Sequence, residues 1–331
     1  MQIRIIIKNR WKIFLSIAVI FSMFFLVINV IPPKKTIEKN PFIKKEGALP
    51  MIAAHRGGGV SNPENTLMAY RAAVNEFHVQ VCETDVWMTS DGHLVCNHDS
   101  NINRMACEEG TPDVIIADHT LEELKSYNMG YNFRDPATGK YPYRDISKDK
   151  QQNMGLKIVE FRELLDEFYD TNKDLLFIVE IKDGDETGYH AVDIIEKELT
   201  ELPNYRDNIV IGTFHPDIEK YMRTNHPNIL RGASTAGATE FIITQLMHVN
   251  LFSRTDFTCL QIPITYDIGR IRLDLTWKTF INRAHRRNIA IQYWTINNED
   301  EMRMLIEKGV DAIITDDPKL LMKVEEEYAE K

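Results

Sequence analysis

Short β-branched, apolar runs alternate with amphipathic stretches along most of the chain after residue 50. In the amphipathic stretches apolar residues recur at helical spacing, as Met302, Leu305 and Ile306 do. The predicted strands are 51–55, 79–88, 176–182, 209–214, 229–233, 259–264, 290–296 and 312–315, and the predicted helices lie near 65–77, 160–170, 188–201, 216–225, 237–248, 274–287, 298–308 and 317–328. Strands that each lead into a helix predict an α/β fold with a parallel sheet. A closed (β/α)8 TIM-like barrel fits this length best, and a doubly wound open sheet is the alternative.

One interval breaks the alternation. Between the second predicted strand and its helix, residues 89–159 form a long excursion with a turn at 89–92 and a polar, tyrosine-bearing stretch at 127–143. We predict that about 99–159 are an insertion after strand 2. Such an excursion in a barrel lies at the catalytic rim or beside it.

The N-terminus carries an apolar run of another kind. Residues 13–31 are 19 uncharged residues rich in Ile, Phe, Leu and Val. At about 1.5 Å per residue they span roughly 28 Å, close to the hydrocarbon thickness of a bilayer. A cleaved signal peptide is the alternative, but its apolar region is usually shorter, and the exit at 27–32 offers no small-x-small cleavage site. A transmembrane anchor is therefore predicted.

This anchor divides the chain into a basic tail (1–12), the anchor (13–31), a stalk (32–49) and a catalytic domain (50–328). Four basic residues precede the anchor and five lie within the fifteen residues after it, so the positive-inside rule gives little guidance. A long C-terminal domain translocates largely regardless of nearby charge. We expect a single-pass protein of the cell membrane with its catalytic domain outside.

The charge is distributed unevenly. The chain has 39 Lys and Arg against 49 Asp and Glu, but residues 1–48 hold nine basic and two acidic side chains. The remainder therefore has 30 basic against 47 acidic residues, a balance of −17. Such a body repels a phosphate backbone, so nucleic acid is not an expected partner. The four cysteines form no CxxC pair and are predicted to be buried apolar residues, with a Cys82–Cys96 disulfide left open.

The first chemical signal lies at the end of the first predicted strand. His55 and Arg56 join a proton-transfer group to a guanidinium suited to phosphate, and three glycines follow. A second histidine, His98, comes directly after the apolar run 94–96. Two histidines near a bound cation suit phosphoester cleavage, because one can remove a proton while the other protonates the leaving oxygen.

Carboxylates mark two further strands. Glu83 and Asp85 point to the same face of the second strand, because side chains at i and i+2 do so. Two acids on a buried strand repel each other unless a cation or proton lies between them. Glu180, on the third strand of the barrel, can complete an oxygen site for one divalent cation, Mg²⁺ or Ca²⁺. Lys182 shares the face of Glu180 and can meet the substrate's anionic group.

Two groups of charged residues near the C-terminus are predicted, from the residue pattern alone, to have no role in the chemistry. Asp311, Asp316 and Asp317 flank the last strand, with Asp317 a helix start. Arg283, Arg286 and Arg287 are expected to form a solvated helix face.

The ordered set H-R-G, P-E-N-T, E-T-D-V, T-x-D-G, H-D, E-I-K, Y-W-T-I-N and D-A-I-I-T-D-D-P resembles the glycerophosphodiester phosphodiesterase family from about residue 51 to 320. The resemblance implies a TIM-like barrel that hydrolyses glycerophosphodiesters to an alcohol and glycerol 3-phosphate. By position it implies that His55 and His98 are the catalytic pair and that Arg56 contacts the phosphate. It further implies metal ligation by Glu83, Asp85 and Glu180, with Lys182 and Trp294 lining the pocket. The family pattern does not extend over the region between about 105 and 155.

Two competing functions remain open at this stage. One is a phospholipase of the phosphatidylinositol-specific type, which shares the barrel and the paired histidines but is disfavoured by the three-carboxylate set. The other is a catalytically silent, membrane-tethered binding module, which is disfavoured because all five catalytic and metal-ligating residues are present. The expected partners are a small or polymeric glycerophosphodiester substrate and the membrane.

Overall fold

The computed structural model describes residues 2–329. Its helices are α1 (Gln2–Val30), α2 (Leu67–Asn75), α3 (Asn103–Ala106), α4 (Leu121–Lys125), α5 (Lys148–Asn153), α6 (Phe161–Tyr169), α7 (Asp185–Glu201), α8 (Pro216–Asn225), α9 (Thr235–Leu246), α10 (Lys278–His285), α11 (Glu299–Lys308) and α12 (Pro318–Ala329). Its strands are β1 (Met51–Ala54), β2 (Val81–Met88), β3 (Leu94–Cys96), β4 (Val159–Glu160), β5 (Leu176–Ile181), β6 (Ile209–Thr213), β7 (Leu230–Arg231), β8 (Cys259–Ile262), β9 (Thr265–Ile268), β10 (Ile271–Asp274), β11 (Ala290–Tyr293) and β12 (Ala312–Thr315).

Eight parallel strands form the predicted barrel. They follow the order β7-β6-β5-β2-β1-β12-β11-β8, and each corresponds to one of the eight predicted strands. Two hydrogen bonds join the end strands, from Thr258 N to Arg231 O (2.7 Å) and from Ala233 N to Cys259 O (2.9 Å). The sheet is therefore a nearly closed barrel, and the open-sheet alternative is wrong.

Burial on both faces explains why these strands are continuous apolar runs. In β5 every residue except Glu180 is buried. The outer faces of the strands pack against the helices, and local signals set the helix ends. Asn298 caps the first turn of α11 by accepting from the backbone N–H of Glu301 (3.1 Å), and Gly309 ends the helix at φ 78°.

The predicted insertion folds around its own apolar cluster. β3 pairs antiparallel with the end of β2, and β4 pairs with β3. Val95, Ile102, Leu124 and Met129 are all buried in this cluster. The arrangement fixes the loop after β3, which carries His98, beside the carboxyl ends of the barrel strands.

Two features differ from the sequence-based expectation. An antiparallel hairpin, β9–β10, follows β8 and turns at Gly269, where no strand pair was predicted. The arginines of α10 do not form a solvated face. Arg287 is buried and donates to Asn250 Oδ1 (2.8 Å), while Arg283 and Arg286 bond to the end of α1. All four cysteines are buried free thiols, as predicted for small apolar residues.

The segment predicted as a stalk packs against the barrel. Phe42 is fully buried among residues of the barrel interior, including Ala53, Val81 and Val210. Asn40 Nδ2 donates to Thr258 O at 2.9 Å and fixes the segment at the amino ends of the strands. Phe42 therefore closes the end of the barrel that lies opposite the strands' carboxyl ends.

We predict that Phe42→Ala lowers the free energy of unfolding by about 3–5 kcal/mol, because it removes a buried aromatic side chain and leaves a cavity. Denaturant unfolding of the full chain in detergent would measure the change, and Phe42→Leu, which keeps most of the apolar volume, should lose clearly less. Equal stability of the Ala variant and the unaltered chain would show that Phe42 does not close the barrel.

Candidate active site

A cavity of about 530 Å³ opens at the carboxyl ends of the barrel strands. Its walls include every site residue predicted from the sequence, namely His55, Arg56, Glu83, Asp85, His98, Glu180, Lys182 and Trp294. These residues come from five separate stretches of the chain. The fold thus brings the predicted set together in one concave site.

The turn after β1 holds its residues in a conformation that needs glycine. Arg56 has φ 53°, and Gly57 and Gly58 have φ 80° and 90°. A Cβ atom on Gly58 would lie 2.7 Å from Cγ of Pro318, so no larger residue fits there without movement. The Arg56 backbone N–H donates to Glu83 Oε2 (2.8 Å), which ties this turn to β2.

The P-E-N-T segment supports the same turn. Glu64 Oε1 accepts from Arg56 Nη1 (3.2 Å) and from Arg104 Nη2 (2.7 Å). Asn65 Oδ1 accepts from the Thr84 hydroxyl (3.1 Å), and the Thr66 hydroxyl caps α2. Because of the Arg104 and Arg56 guanidinium groups, the pKa of Glu64 is lowered although burial acts to raise it. Glu64 therefore holds the Arg56 side chain at the cavity wall as a carboxylate.

Each histidine places its Nδ1 against an aspartate. His55 Nδ1 lies 2.6 Å from Asp316 Oδ1, and His98 Nδ1 lies 2.8 Å from Asp99 Oδ1. Burial acts to lower the pKa of His55, but the Asp316 hydrogen bond and the charge of Glu83 outweigh it, so that pKa is raised. A carboxylate on Nδ1 fixes the ring orientation and leaves Nε2 for proton transfer. His55 Nε2 lies 3.9 Å from Glu83 Oε2.

The three carboxylates lie on adjacent strands. Asp85 and Glu180 are direct register partners across β2 and β5, and Glu83 lies two residues before Asp85 on the same face. Glu83 and Asp85 are almost completely buried. Burial and the neighbouring charge of Asp85 raise the pKa of Glu83, and burial raises the pKa of Glu180 against the opposing influence of Lys182.

Lys182 lies between two of these carboxylates. Its Nζ is 2.9 Å from Asp85 Oδ1 and 2.8 Å from Glu180 Oε1. Burial acts to lower the pKa of Lys182, but the two carboxylates outweigh it and the pKa is raised. The sequence placed Lys182 toward the substrate, and the structure adds that its ammonium is shared with two predicted metal ligands.

The donor set fits a hard cation in its chemistry. Asp85 Oδ2 is buried without a hydrogen-bond partner, and Arg56 Nε lies 3.3 Å away but is misaligned for a hydrogen bond. Six carboxyl groups in and around the cavity outnumber its three permanent cations, Arg56, Arg104 and Lys182; the six are Glu64, Glu83, Asp85, Asp99, Glu180 and Asp316. Within residues 2–329, no three His, Cys, Asp or Glu side chains converge as a formed metal cluster.

The opposite wall of the cavity is apolar. Trp294 is 39% exposed at the mouth, with its ring centroid 6.5 Å from that of Phe214. Ile242, Ile262 and Leu275 continue this wall inward. The cavity thus has one charged side and one apolar side.

Sequence reasoning missed the groups that orient the histidines. Asp316 was interpreted only as flanking the last strand, and 261 residues separate it from His55. Asp99 follows His98 in the H-D motif, and the sequence alone does not indicate its role. Its Oδ2 also accepts from Arg104 Nε (2.7 Å), which links it to Glu64. No local pattern identifies Asp316, whereas its position at the carboxyl end of a barrel strand could have done so.

Comparison with known proteins agrees with the family resemblance seen in the sequence motifs. Residues 55–320 match the glycerophosphoryl diester phosphodiesterase family. A glycerophosphodiester phosphodiesterase of Caldanaerobacter subterraneus subsp. tengcongensis is 25% identical over 274 residues, which cover 83% of this chain and 97% of that protein. A glycerophosphoryl diester phosphodiesterase domain from Mycobacterium tuberculosis superposes with a TM-score of 0.66 at 17% identity, covering 83% of this chain and 99% of that one.

A solved Oleispira antarctica phosphodiesterase has a similar fold, with a TM-score of 0.59 at 20% identity and coverage of 84% of this chain and 97% of that chain. That structure is a complex with the product sn-glycerol-3-phosphate. The barrel agrees with this group of structures, and the family match spans most of the catalytic domain. The chain therefore belongs to the glycerophosphoryl diester phosphodiesterase family.

Proposed function

We propose that this protein is a membrane-anchored, metal-dependent enzyme that hydrolyses glycerophosphodiesters to an alcohol and glycerol 3-phosphate. The observation that carries this proposal is the cavity in which two carboxylate-bound histidines lie together with Glu83, Asp85, Glu180 and an arginine. The name of the Caldanaerobacter relative and the product bound to the Oleispira enzyme support the same reaction.

His55 and His98 act as the acid–base pair. One imidazole Nε2 accepts a proton from the attacking group, which is water or a substrate hydroxyl. Attack by water gives glycerol 3-phosphate directly, whereas attack by a substrate hydroxyl gives a cyclic phosphate that water then opens. The other imidazolium donates a proton to the oxygen that leaves as the alcohol. Asp316 and Asp99 hold the two rings through Nδ1, so each Nε2 stays available to the reacting atoms.

Glu83, Asp85 and Glu180 would hold one divalent cation, Mg²⁺ or Ca²⁺. Such a cation would supply positive charge that polarises the phosphodiester and offsets the repulsion among the three acids. The unpartnered Oδ2 of Asp85 and the raised pKa of Glu83 support this assignment. Arg56 and Lys182 line the same cavity and would bind the phosphodiester oxygens, and Trp294 would cover the attached group.

Among the described residues, no contact specifically favours either of the two alternative functions. A phosphatidylinositol-type phospholipase would not need three carboxylates on neighbouring strands. A silent binding module would not need a carboxylate behind each histidine, and here both are present at hydrogen-bonding distance. Hydrolysis of glycerophosphodiesters remains the function that these contacts support best.

The N-terminal helix supports location at the cell membrane. Trp11–Val30 has a mean hydropathy of 2.7 and almost none of it is buried against the protein. We propose the tail at 1–12, the anchor at 13–31 and the extracellular catalytic domain at 50–328 that the sequence predicts, with residues 32–49 joining anchor to barrel while packed against the barrel.

Metal removal gives the first test of the reaction. Exhaustive chelation should abolish turnover of glycerophosphodiesters, and added Mg²⁺ or Ca²⁺ should restore it, because the three acids need an ion to offset their repulsion. A panel of glycerophosphodiesters assayed for released glycerol 3-phosphate measures this. Full activity of metal-free protein would contradict the metal site.

Replacing either histidine should strongly reduce turnover and leave the fold intact. His55→Ala and His98→Ala should each reduce kcat by about 10²–10⁴-fold, the usual contribution of a general acid or base. His78→Ala, a histidine outside the cavity, is the matched control. Circular dichroism checks folding, and unchanged kcat in either variant would remove that residue from the mechanism.

Asp316→Asn should lower kcat by about 10²-fold, since the amide no longer fixes the His55 tautomer. The Asp316 contact raises the pKa of His55, so the limb of the pH–rate profile that belongs to His55 should move to lower pH in this variant. A full pH profile of kcat measures both effects. A lower kcat with no movement of either limb would assign Asp316 a purely structural role.

The proposed anchor predicts where the chain and its catalytic domain are located. The full chain should stay in the membrane fraction after high-salt and alkaline washing, and protease added to intact cells should degrade the catalytic domain. N-terminal sequencing should find that the mature chain still contains the anchor at 13–31. A start near residue 32 would identify a cleaved signal peptide, and protection of the domain in intact cells would reverse the orientation.

A further inference from the structure

The end of α1 is bonded to one corner of the barrel. Arg286 Nη1 donates to Asn29 O (2.6 Å), and its Nη2 donates to Ile31 O (2.9 Å). Asn29 Nδ2 donates to His248 O (3.1 Å), directly after α9. The last carbonyls of a helix have no partner within the helix, and cations are favourable there. Arg286 therefore fixes the proposed anchor to the corner between α9 and α10.

This corner lies at the end of the barrel opposite the cavity. The carboxyl ends of α9 and α10 lead into β8 and β11, so they lie near the amino ends of those strands. The catalytic residues follow the carboxyl ends of strands. α9 is about 18 Å long and runs from the cavity rim, where Thr235 lines the cavity, to this corner.

Exposed apolar side chains cluster at the same corner. Ten large hydrophobic side chains are exposed outside α1 among the residues whose side chains are described, and four of them fall within residues 243–252. They are Ile243, Leu246, Met247 and Phe252, exposed by 38–61%. Single exposed apolar residues are ordinary, whereas four together beside a membrane helix mark a contact surface. We name these four residues the base patch.

Positive charge accompanies the base patch. Residues 31–38 run across the same corner. Two hydrogen bonds hold them there: Thr36 N donates to Arg287 O (2.9 Å), and Asn288 Nδ2 donates to Ile37 O (2.7 Å). Lys34, Lys35 and the adjoining Lys39 are exposed here with one exposed acid, Glu38, whereas the chain beyond residue 48 has a balance of −17. Basic side chains beside an apolar surface complement anionic phospholipid head groups.

We propose that the base patch lies in the head-group region of a bilayer containing anionic phospholipids, and that the catalytic cavity opens away from that bilayer. This inference rests on the proposed anchor, and continuity with α1 identifies lipid as the occupant of the patch. In this orientation the enzyme takes phosphodiesters from the aqueous side, because its cavity does not face its own membrane.

Site-specific quenching in nanodiscs tests this orientation. The four native cysteines are buried, so a single introduced cysteine can be labelled with an environment-sensitive fluorophore in the folded full chain. Met247→Cys and Phe252→Cys probe the base patch. Ala236→Cys, exposed near the other end of α9, is the matched control, and Phe21→Cys reports the anchor. The discs contain one chain each, in phosphatidylcholine and phosphatidylglycerol with nitroxide-labelled head groups. Parallel discs with nitroxides at the ends of the acyl chains are used for the probe at 21, because residue 21 lies near the middle of the anchor.

We expect the nitroxide lipids to reduce fluorescence at 247 and 252 several times more than at 236. Equal or stronger quenching at 236, or quenching at 21 with none at 247 and 252, would overturn the orientation while leaving the anchor in place. A blue shift at 247 without quenching would mean that protein covers the patch, which also overturns the proposal. Absence of quenching at 21 would overturn the anchor and this inference together.

Discussion

Burial of like charges at the carboxyl end of the barrel is the constraint on which the rest of the site depends. Asp85 is buried between Glu83 on its own strand and Glu180 on the neighbouring strand. Carboxylates in this arrangement repel each other, and removal from water adds to the cost. The protein offsets part of that charge with Lys182 and Arg56, yet one oxygen of Asp85 stays without a hydrogen-bond partner. A site with this residual charge is suited to a cation and to a phosphodiester beside it.

The surrounding structure follows from this charge. The backbone N–H of Arg56 binds Glu83, which requires the left-handed turn and the glycines after β1. Glu64 holds the Arg56 guanidinium from the other side. Asp316 and Asp99 each lie at hydrogen-bonding distance from a histidine Nδ1, which leaves both Nε2 atoms free of these contacts. Loss of any one of these contacts would change the charge or the orientation of its neighbour.

Sequence patterns predicted the barrel because its strands are buried on both faces and therefore read as apolar runs, as β5 does. They also predicted Glu83 and Asp85 on one face, since alternation along a strand is a local property. The partner of His55 could not be found in this way, because Asp316 reaches it only through pairing of β1 with β12. The arginines of α10 and the burial of Phe42 were missed for the same reason: both depend on packing of the N-terminal segment against distant elements.

Direct binding of a cation tests the central claim. Calorimetric titration of the metal-free full chain with Mn²⁺, used in place of Mg²⁺, should find one site, and Asp85→Asn should weaken binding by about tenfold or more because it removes a charged oxygen ligand. Glu325→Gln, which changes an acid on α12 outside the cavity, should bind as the unaltered chain does. Equal affinity of Asp85→Asn and the unaltered chain, or no binding by either, would contradict the account.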